Sequence, residues 1–170
     1  MLETPDELLR RAYLPDTVRV LFIGESPPAG GTFFYAADSN LSRYTQQAFS
    51  EAYRREWESG EEFLRFFQAR GCYLDDLCLI PVNRMERAER QRERSLAVPS
   101  LAERMARYRP LAVISVMTAT RPHIESAIAQ ANLAPLPTYF MPFPTFGNQH
   151  RYVERLSSTL LELRDKSVLE

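Results

Sequence analysis

Three short stretches hold the side chains that could do chemistry. GESPPAGGTFFY, Gly24 to Tyr35, sets one carboxylate, Glu25, and one hydroxyl, Ser26, ahead of a Gly30-Gly31 pair and the aromatics Phe33, Phe34 and Tyr35. A flat ligand could be gripped there between ring faces and backbone amides, with Glu25 supplying an anion and Ser26 orienting water. Ser26 has no adjacent base, which makes it a poor general base by itself. In YLDDLCLIPVNR, Tyr73 to Arg84, two consecutive aspartates sit in apolar company. Asp75 or Asp76 must be paired, exposed at a strand end or functional. In PFPTFGNQHR, Pro142 to Arg151, Thr145 and the amides ahead of a helix start could take a phosphate, with His150 close by. Each stretch also has a plainer reading. The aromatics can belong to the core, Glu25 can equally brace its own loop, Asp76 can satisfy loop amides, and His150 can serve the start of the last helix.

The elements that carry these loops follow from the apolar pattern. Residues 18 to 23 read as a buried strand ending at Gly24, and open α/β sheets place ligands at such carboxyl ends. Tyr73 to Ile80 reads as a second strand. Leu111 to Met117 (LAVISVM) is the clearest central one, and Tyr139 to Met141 is a brief last one. Helices are expected from Pro5, from a cap at Asn40 or Ser42 to about Trp57, and over Ser59 to Gln68. Others should run from a Ser100–Glu103 capping box to Pro110, over Arg121 to Gln130, and from Gln149 to Leu163. Arg84 to Arg94 reads as a solvated helix or mobile loop, with a nucleic-acid-facing surface as the alternative. His123 is expected as an exposed helix-start residue, and the last residues are expected to fray. The alternation of strand and helix predicts one domain over residues 1–170. Its fold class is α/β, a three-layer α/β/α sandwich around a mostly parallel four-stranded sheet. The loops after Gly24, Ile80 and Met141 should then meet at one edge as a composite cleft.

Composition narrows the function classes. The 170 residues are 45% apolar and carry a formal charge of -1. That excludes a strongly basic nucleic-acid binder or an acidic disordered chain, but not a small basic cleft that holds phosphate. Cys72 and Cys78 are too few for a four-cysteine cluster, and their apolar flanks predict buried reduced thiols in a cytoplasmic protein. With only His123 and His150 available, neither a metal site nor a cofactor is expected. The opening residues do not read as a signal peptide, and no stretch reaches transmembrane length. Lys166, the single lysine, sits in the expected frayed tail, so a Schiff-base mechanism has no obvious nucleophile. The first loop lacks the lysine-serine or lysine-threonine ending of a Walker loop and the glycine spacing of a dinucleotide site.

Taken together and in order, the three loops resemble the uracil-DNA glycosylase superfamily. GESPP, Gly24 to Pro28, looks like that family's water-activating loop, which opens with Gly and Gln or Glu and has Pro in fourth place. YLDDLCLIPVNR resembles its second strand and proline-asparagine-arginine exit, with Asp76 at the position where many members read the base edge with Asn. Pro142-Phe143-Pro144-Thr145, followed by Gly147-Asn148-Gln149-His150-Arg151, resembles the loop that normally reads His-Pro-Ser and is followed by His-Arg. The departures are Ser26 in place of the Asp of the most active members, and Phe143 in place of the histidine that assists the departing base. The four-cysteine cluster of one branch is absent.

The resemblance implies a monomeric DNA glycosylase-like protein. It would hydrolyse the N-glycosidic bond of a deaminated or otherwise damaged base flipped out of DNA, with Glu25 and Ser26 positioning water. The alternative is a non-catalytic or weakly catalytic member that binds DNA or a nucleotide. A further alternative, outside the family, is another doubly wound α/β enzyme or a structural domain. Phe33, Phe34, Asp76 and Phe143 are the candidate base-binding residues; Thr145, Asn148, His150 and Arg151 are the candidate phosphate-binding ones. Phe143 cannot donate a hydrogen bond, and one lost donor typically costs about 3 kcal/mol in a transition state. An ionised Asp76 accepts hydrogen bonds only, so it would favour a base edge bearing an amino or ring N–H group over plain uracil.

Overall fold

The strand β1, Val20–Gly24, is buried at every residue. A run of VLFIG with no polar alternation needs cover on both faces, and so it takes an interior place in a sheet. The computed structural model describes residues 3–170. Residues 1 and 2, where the expectation of no signal peptide begins, lie outside them. The other strands are β2 (Cys72–Asp76), β3 (Ala112–Ser115) and β4 (Thr138–Phe140). Their order is β2-β1-β3-β4, all parallel, with Gly24 beside Asp76, Ile23 beside Asp75 and Phe22 beside both Leu74 and Ile114. The helices are α1 (Pro5–Ala12), α2 (Asn40–Tyr53), α3 (Gly60–Ala69), α4 (Arg87–Tyr108), α5 (Arg121–Gln130) and α6 (Gln149–Asp165). The result is the expected three-layer α/β/α sandwich.

Side-chain alternation along the strands assigns the two faces. Phe22 packs against Phe49 of α2 and Phe67 of α3, and α6 lies along α2, where Tyr152 Oη and Thr45 Oγ1 are 2.7 Å apart. On the other face α4 packs with α5, and Tyr108 of α4 meets Tyr73 of β2 edge-on. Adjacent residues of β2 therefore diverge: Asp75 points to the α4 side and Asp76 to the α2/α3 side. The outer rim of β2 is closed by Tyr35, whose hydroxyl accepts from Leu74 N–H (2.7 Å) and donates to Leu74 C=O (2.9 Å). This satisfies an edge that would otherwise offer open backbone groups.

Several boundaries depart from expectation, each for a tertiary reason. The cap of α2 is Ser39, ahead of both expected choices, Asn40 and Ser42, and Ser42 closes its capping box; the helix stops at Tyr53 rather than Trp57. The second strand ends at Asp76 instead of Ile80, where its partner β1 also ends at Gly24. Leu77 and Cys78 still donate backbone hydrogen bonds to the carbonyls of Gly24 and Glu25 (2.9 and 2.8 Å). No helix starts at Ser100. Instead α4 runs unbroken from Arg87, with Pro99 inside it and exposed. Buried Arg94, Val98, Leu101 and Met105 on one flank of α4 outweigh the lost backbone bond.

The carboxyl terminus does not fray. Leu169 is buried, Val168 and Leu169 donate to Leu163 C=O, and Arg19 holds the carbonyls of Ser167 and Val168 (3.0 and 2.8 Å). Lys166 pairs with Glu162 at 2.5 Å.

Candidate functional site

Parallel strands put the loops after β1, β2, β3 and β4 at one edge of the sheet, as the sequence predicts. The side chains there form two clusters rather than one. Glu25 follows Gly24 and turns to the α4 side. Arg90 reaches it through Nε (3.0 Å to each oxygen) and Nη2 (2.5 Å to Oε1), and Arg94 through Nε (2.8 Å to Oε2) and Nη2. Glu25 and Arg94 are buried, and Arg94 Nη2 also lies 3.8 Å from Met117 Sδ. Both carboxylate oxygens are thus engaged by guanidinium groups, so Glu25 fastens the first loop to α4 and offers no free oxygen to a water. His123 is half-buried rather than exposed. Burial first, then the Arg94 charge, lowers its pKa. Cys78 is buried as well, and burial followed by the Glu25 charge pushes its thiol up to about 11, which leaves it unreactive as a nucleophile.

The second cluster joins α1, β2 and α4. Arg104 Nη1 meets Asp75 Oδ2 at 2.5 Å and also binds the Asp76 carbonyl, while Asp75 Oδ1 accepts from Asp76 N–H at 2.7 Å. Arg10 Nη2 meets Asp76 Oδ2 at 2.6 Å; its Nη1 makes longer 3.4 Å bonds to Asp75 Oδ1 and Leu74 C=O. The Cζ of that guanidinium lies 5.6 Å from the centre of the Phe33 ring, over its face and within the range of a cation–π contact. Arg10, Phe33 and Asp76 are each 5% exposed and form one closed cluster. Gly24 makes room here, since a Cβ on it would collide with Asp76 Oδ1. Burial is the largest influence on Asp76 and raises its pKa to about 6 despite the attraction of Arg10. Burial opposes the charge on Arg10 too, yet Asp76 and Asp75 outweigh it and hold that pKa above its ordinary value.

The remaining predicted residues divide. Ser26 is half-buried and its Oγ accepts from Val82 N–H at 3.2 Å, which ties the first loop to the proline-containing exit of β2 and leaves the serine proton unused by that bond. Phe34 belongs to the core, 5.6 Å from Phe67 and edge-on to Tyr35, and only Phe33 reaches the Asp76 cluster. Phe143 and Thr145 are half-buried, and the Thr145 amide is spent on Phe143 C=O (2.8 Å). Asn148 caps α6 without a side-chain bond, His150 and Arg151 are exposed, and Phe146 stands fully in solvent at φ 51°. Glu25 and Asp76 leave the edge toward opposite faces and share no hydrogen-bond partner, so they do not line one composite cleft as expected. A groove of about 640 Å3 lies elsewhere, beside β4 and α6, lined by Arg121, Phe140, Arg155 and Thr159.

Arg10, Arg90, Arg94 and Arg104 are the residues that sequence reasoning missed. A signal existed for two of them: Arg90 and Arg94 precede Val98, Leu101 and Met105 at helical spacing, on the stripe that the core covers. Nothing in the spacing of Arg10 pairs it with residues more than sixty positions away. Among the described residues no group of three His, Cys, Asp or Glu side chains could hold a metal, and no helix is long and apolar enough to cross a membrane. A scan against known protein-family models and a search among curated proteins return no match to this chain.

Proposed function

We propose that this chain is a uracil-DNA glycosylase-like protein that binds DNA containing a modified base, with weak or no cleavage of the N-glycosidic bond. The observation that carries this reading is the meeting of Phe33, on the loop after β1, and Asp76, the last residue of β2, around one planar hydrogen-bonding group. A ring face on one side and an acceptor at the rim are what an extruded base requires. Exposed Phe146, on the loop that follows β4, and exposed Arg151, in the first turn of α6 with no ion pair among the described residues, lie toward the same edge and suit stacking and phosphate contacts. Weak turnover follows from the two engaged oxygens of Glu25 and from Phe143, which offers no donor to a departing base.

Ser26 favours a second reading, that of a monofunctional DNA glycosylase. Its free proton and partial exposure suit it to orient a water whose oxygen bonds to the sugar carbon while the glycosidic electron pair leaves with the base. The water's proton then passes to the solvent or the base. In both readings Glu25 braces the loop.

Labelled duplexes containing uracil, hypoxanthine, xanthine or an alkylated base, or an abasic site, test the two together through anisotropy and base release. Saturable binding that prefers the modified duplexes, with release at background, is the expected result. Release above background that disappears in Ser26→Ala would establish the glycosylase reading, and no binding to any duplex would end both. Glu25→Gln should lower the denaturation midpoint and leave the ratio of modified to unmodified DNA affinity unchanged.

A further inference from the structure

The group that Phe33 and Asp76 enclose is part of the chain itself. We propose that Arg10 is a resident surrogate for the ligand, and that the cleft opens by withdrawal of Arg10 to take a flipped base with a guanine-type edge, a ring N–H beside an exocyclic amino group. This rests on the DNA-binding reading above and adds to it the identity of the base and the gate.

Three features of the cluster support it. A guanidinium and the N1–H, C2-amino edge of guanine present the same planar pair of N–H donors to a carboxylate. Arg10 already supplies one such donor, with Nη2 at 2.6 Å from Asp76 Oδ2 while Nη1 turns to Asp75 and Leu74, and its Cζ lies 5.6 Å from the centre of the Phe33 ring. The network is also asymmetric. Asp75 has a second partner in Arg104 at 2.5 Å, whereas Arg10 is the only side chain among the described residues that hydrogen-bonds the Asp76 carboxylate. Withdrawal of Arg10 therefore leaves one buried acceptor, Asp76, lacking a donor, beside a ring face and the Gly24 backbone. Finally, Arg10 is not fully satisfied where it stands. Its buried Nε has no hydrogen-bond partner, lies 3.6 Å from Glu7, and so is held less completely than the guanidinium of Arg94. The element that must move is two turns long, fastened at its far end by the stacking of Tyr13 on Tyr35 (5.4 Å) and by Gln68 bonds to the carbonyls of Ala12 and Leu14.

The test uses duplexes carrying one extrahelical guanine, hypoxanthine or uracil, with a fully paired duplex as reference. Hypoxanthine keeps the ring N–H and lacks the amino group. In Arg10→Ala, affinity for the guanine bulge should rise about tenfold over wild type and exceed that for hypoxanthine by a similar factor, the usual reach of a bidentate pair. Affinity for paired DNA should not change, and added methylguanidinium should compete with the guanine bulge. Wild-type protein provides a readout that does not depend on the variant folding. Phenylglyoxal modification of Arg10, followed by mass spectrometry, should be slow in the free protein and in the presence of paired duplex, and faster with the guanine bulge. DNA binding with equal affinity for the three bulges, or Arg10 equally protected throughout, overturns the proposal and leaves the DNA-binding reading standing. Failure of both proteins to bind any duplex overturns both.

Discussion

The loops put their acidic side chains to unlike uses, and charge pairing decides which. Glu25 meets two guanidinium groups and is fixed by them; Asp76 meets one and is buried more completely than that single cation compensates. Its pKa therefore rises from 3.8 to about 6, and the folded chain binds this proton more tightly than the unfolded chain does. Protonation of Asp76 stabilises the fold at pH below the unfolded value, and that contribution is lost as pH climbs through about 6. Arg10, Asp75, Arg104 and Glu7 surround the group, and none of the three partners other than Arg10 donates to its carboxylate. Asp76→Asn cannot ionise. The stability of that variant relative to wild type should therefore improve by about 2 to 3 kcal/mol between about pH 4 and pH 7, at about 1.4 kcal/mol for each unit of pKa difference. Urea denaturation at the two pH values measures it, and a difference that stays flat would show that Asp76 titrates in the fold as it does in the unfolded chain.

At the scale of elements, α4 shows how tertiary pairing overrides a local signal. Pro99 and Ser100 look like a helix start, but the charged stretch before them is drawn into the helix because Arg90 and Arg94 are needed at Glu25. The cost is a proline in a helix interior, about 3 kcal/mol relative to alanine, offset by about 1 kcal/mol through its stiffening of the unfolded chain. Pro99→Ala should accordingly stabilise the protein by about 2 kcal/mol in chemical denaturation, since the exposed ring of Pro99 makes no core packing to lose. The end of the chain behaves in the opposite sense to its sequence. Residues past α6 are polar enough to suggest a loose tail, yet Leu169 is 2% exposed and its neighbours are tied to Arg19 and Leu163. Leu169→Ala should cost about 2 kcal/mol, the lower end for a buried leucine because a terminus relaxes easily around the gap. A loss below the error of the melt would return the tail to its expected frayed state.

Across the whole molecule, what was legible in the sequence was what local pattern controls. The runs VLFIG and LAVISVM announced interior strands, and the limits of α5 and the start of α6 follow from proline, loop and apolar spacing. Strand alternation with helices was enough to predict the layers. The site was legible only as positions: Glu25, Asp76 and Phe33 could be marked as chemically unusual, whereas the arginines that decide what each does come from α1 and α4 and looked like surface charge. Long-range pairing of this kind leaves no periodic trace, which is why one expected cleft became two clusters. The buried thiols follow from the same packing and turn it into a clock. Cys72 opens β2 and Cys78 lies just past its end, with its amide on Glu25, so each sulfur samples a different part of the molecule. Under iodoacetamide, Cys72 should be alkylated only as fast as the entire domain unfolds, while Cys78 should label sooner, through breathing confined to the rim around Glu25. Peptide mapping resolves the two rates, and equal rates would mean that rim and strand come apart as one cooperative unit.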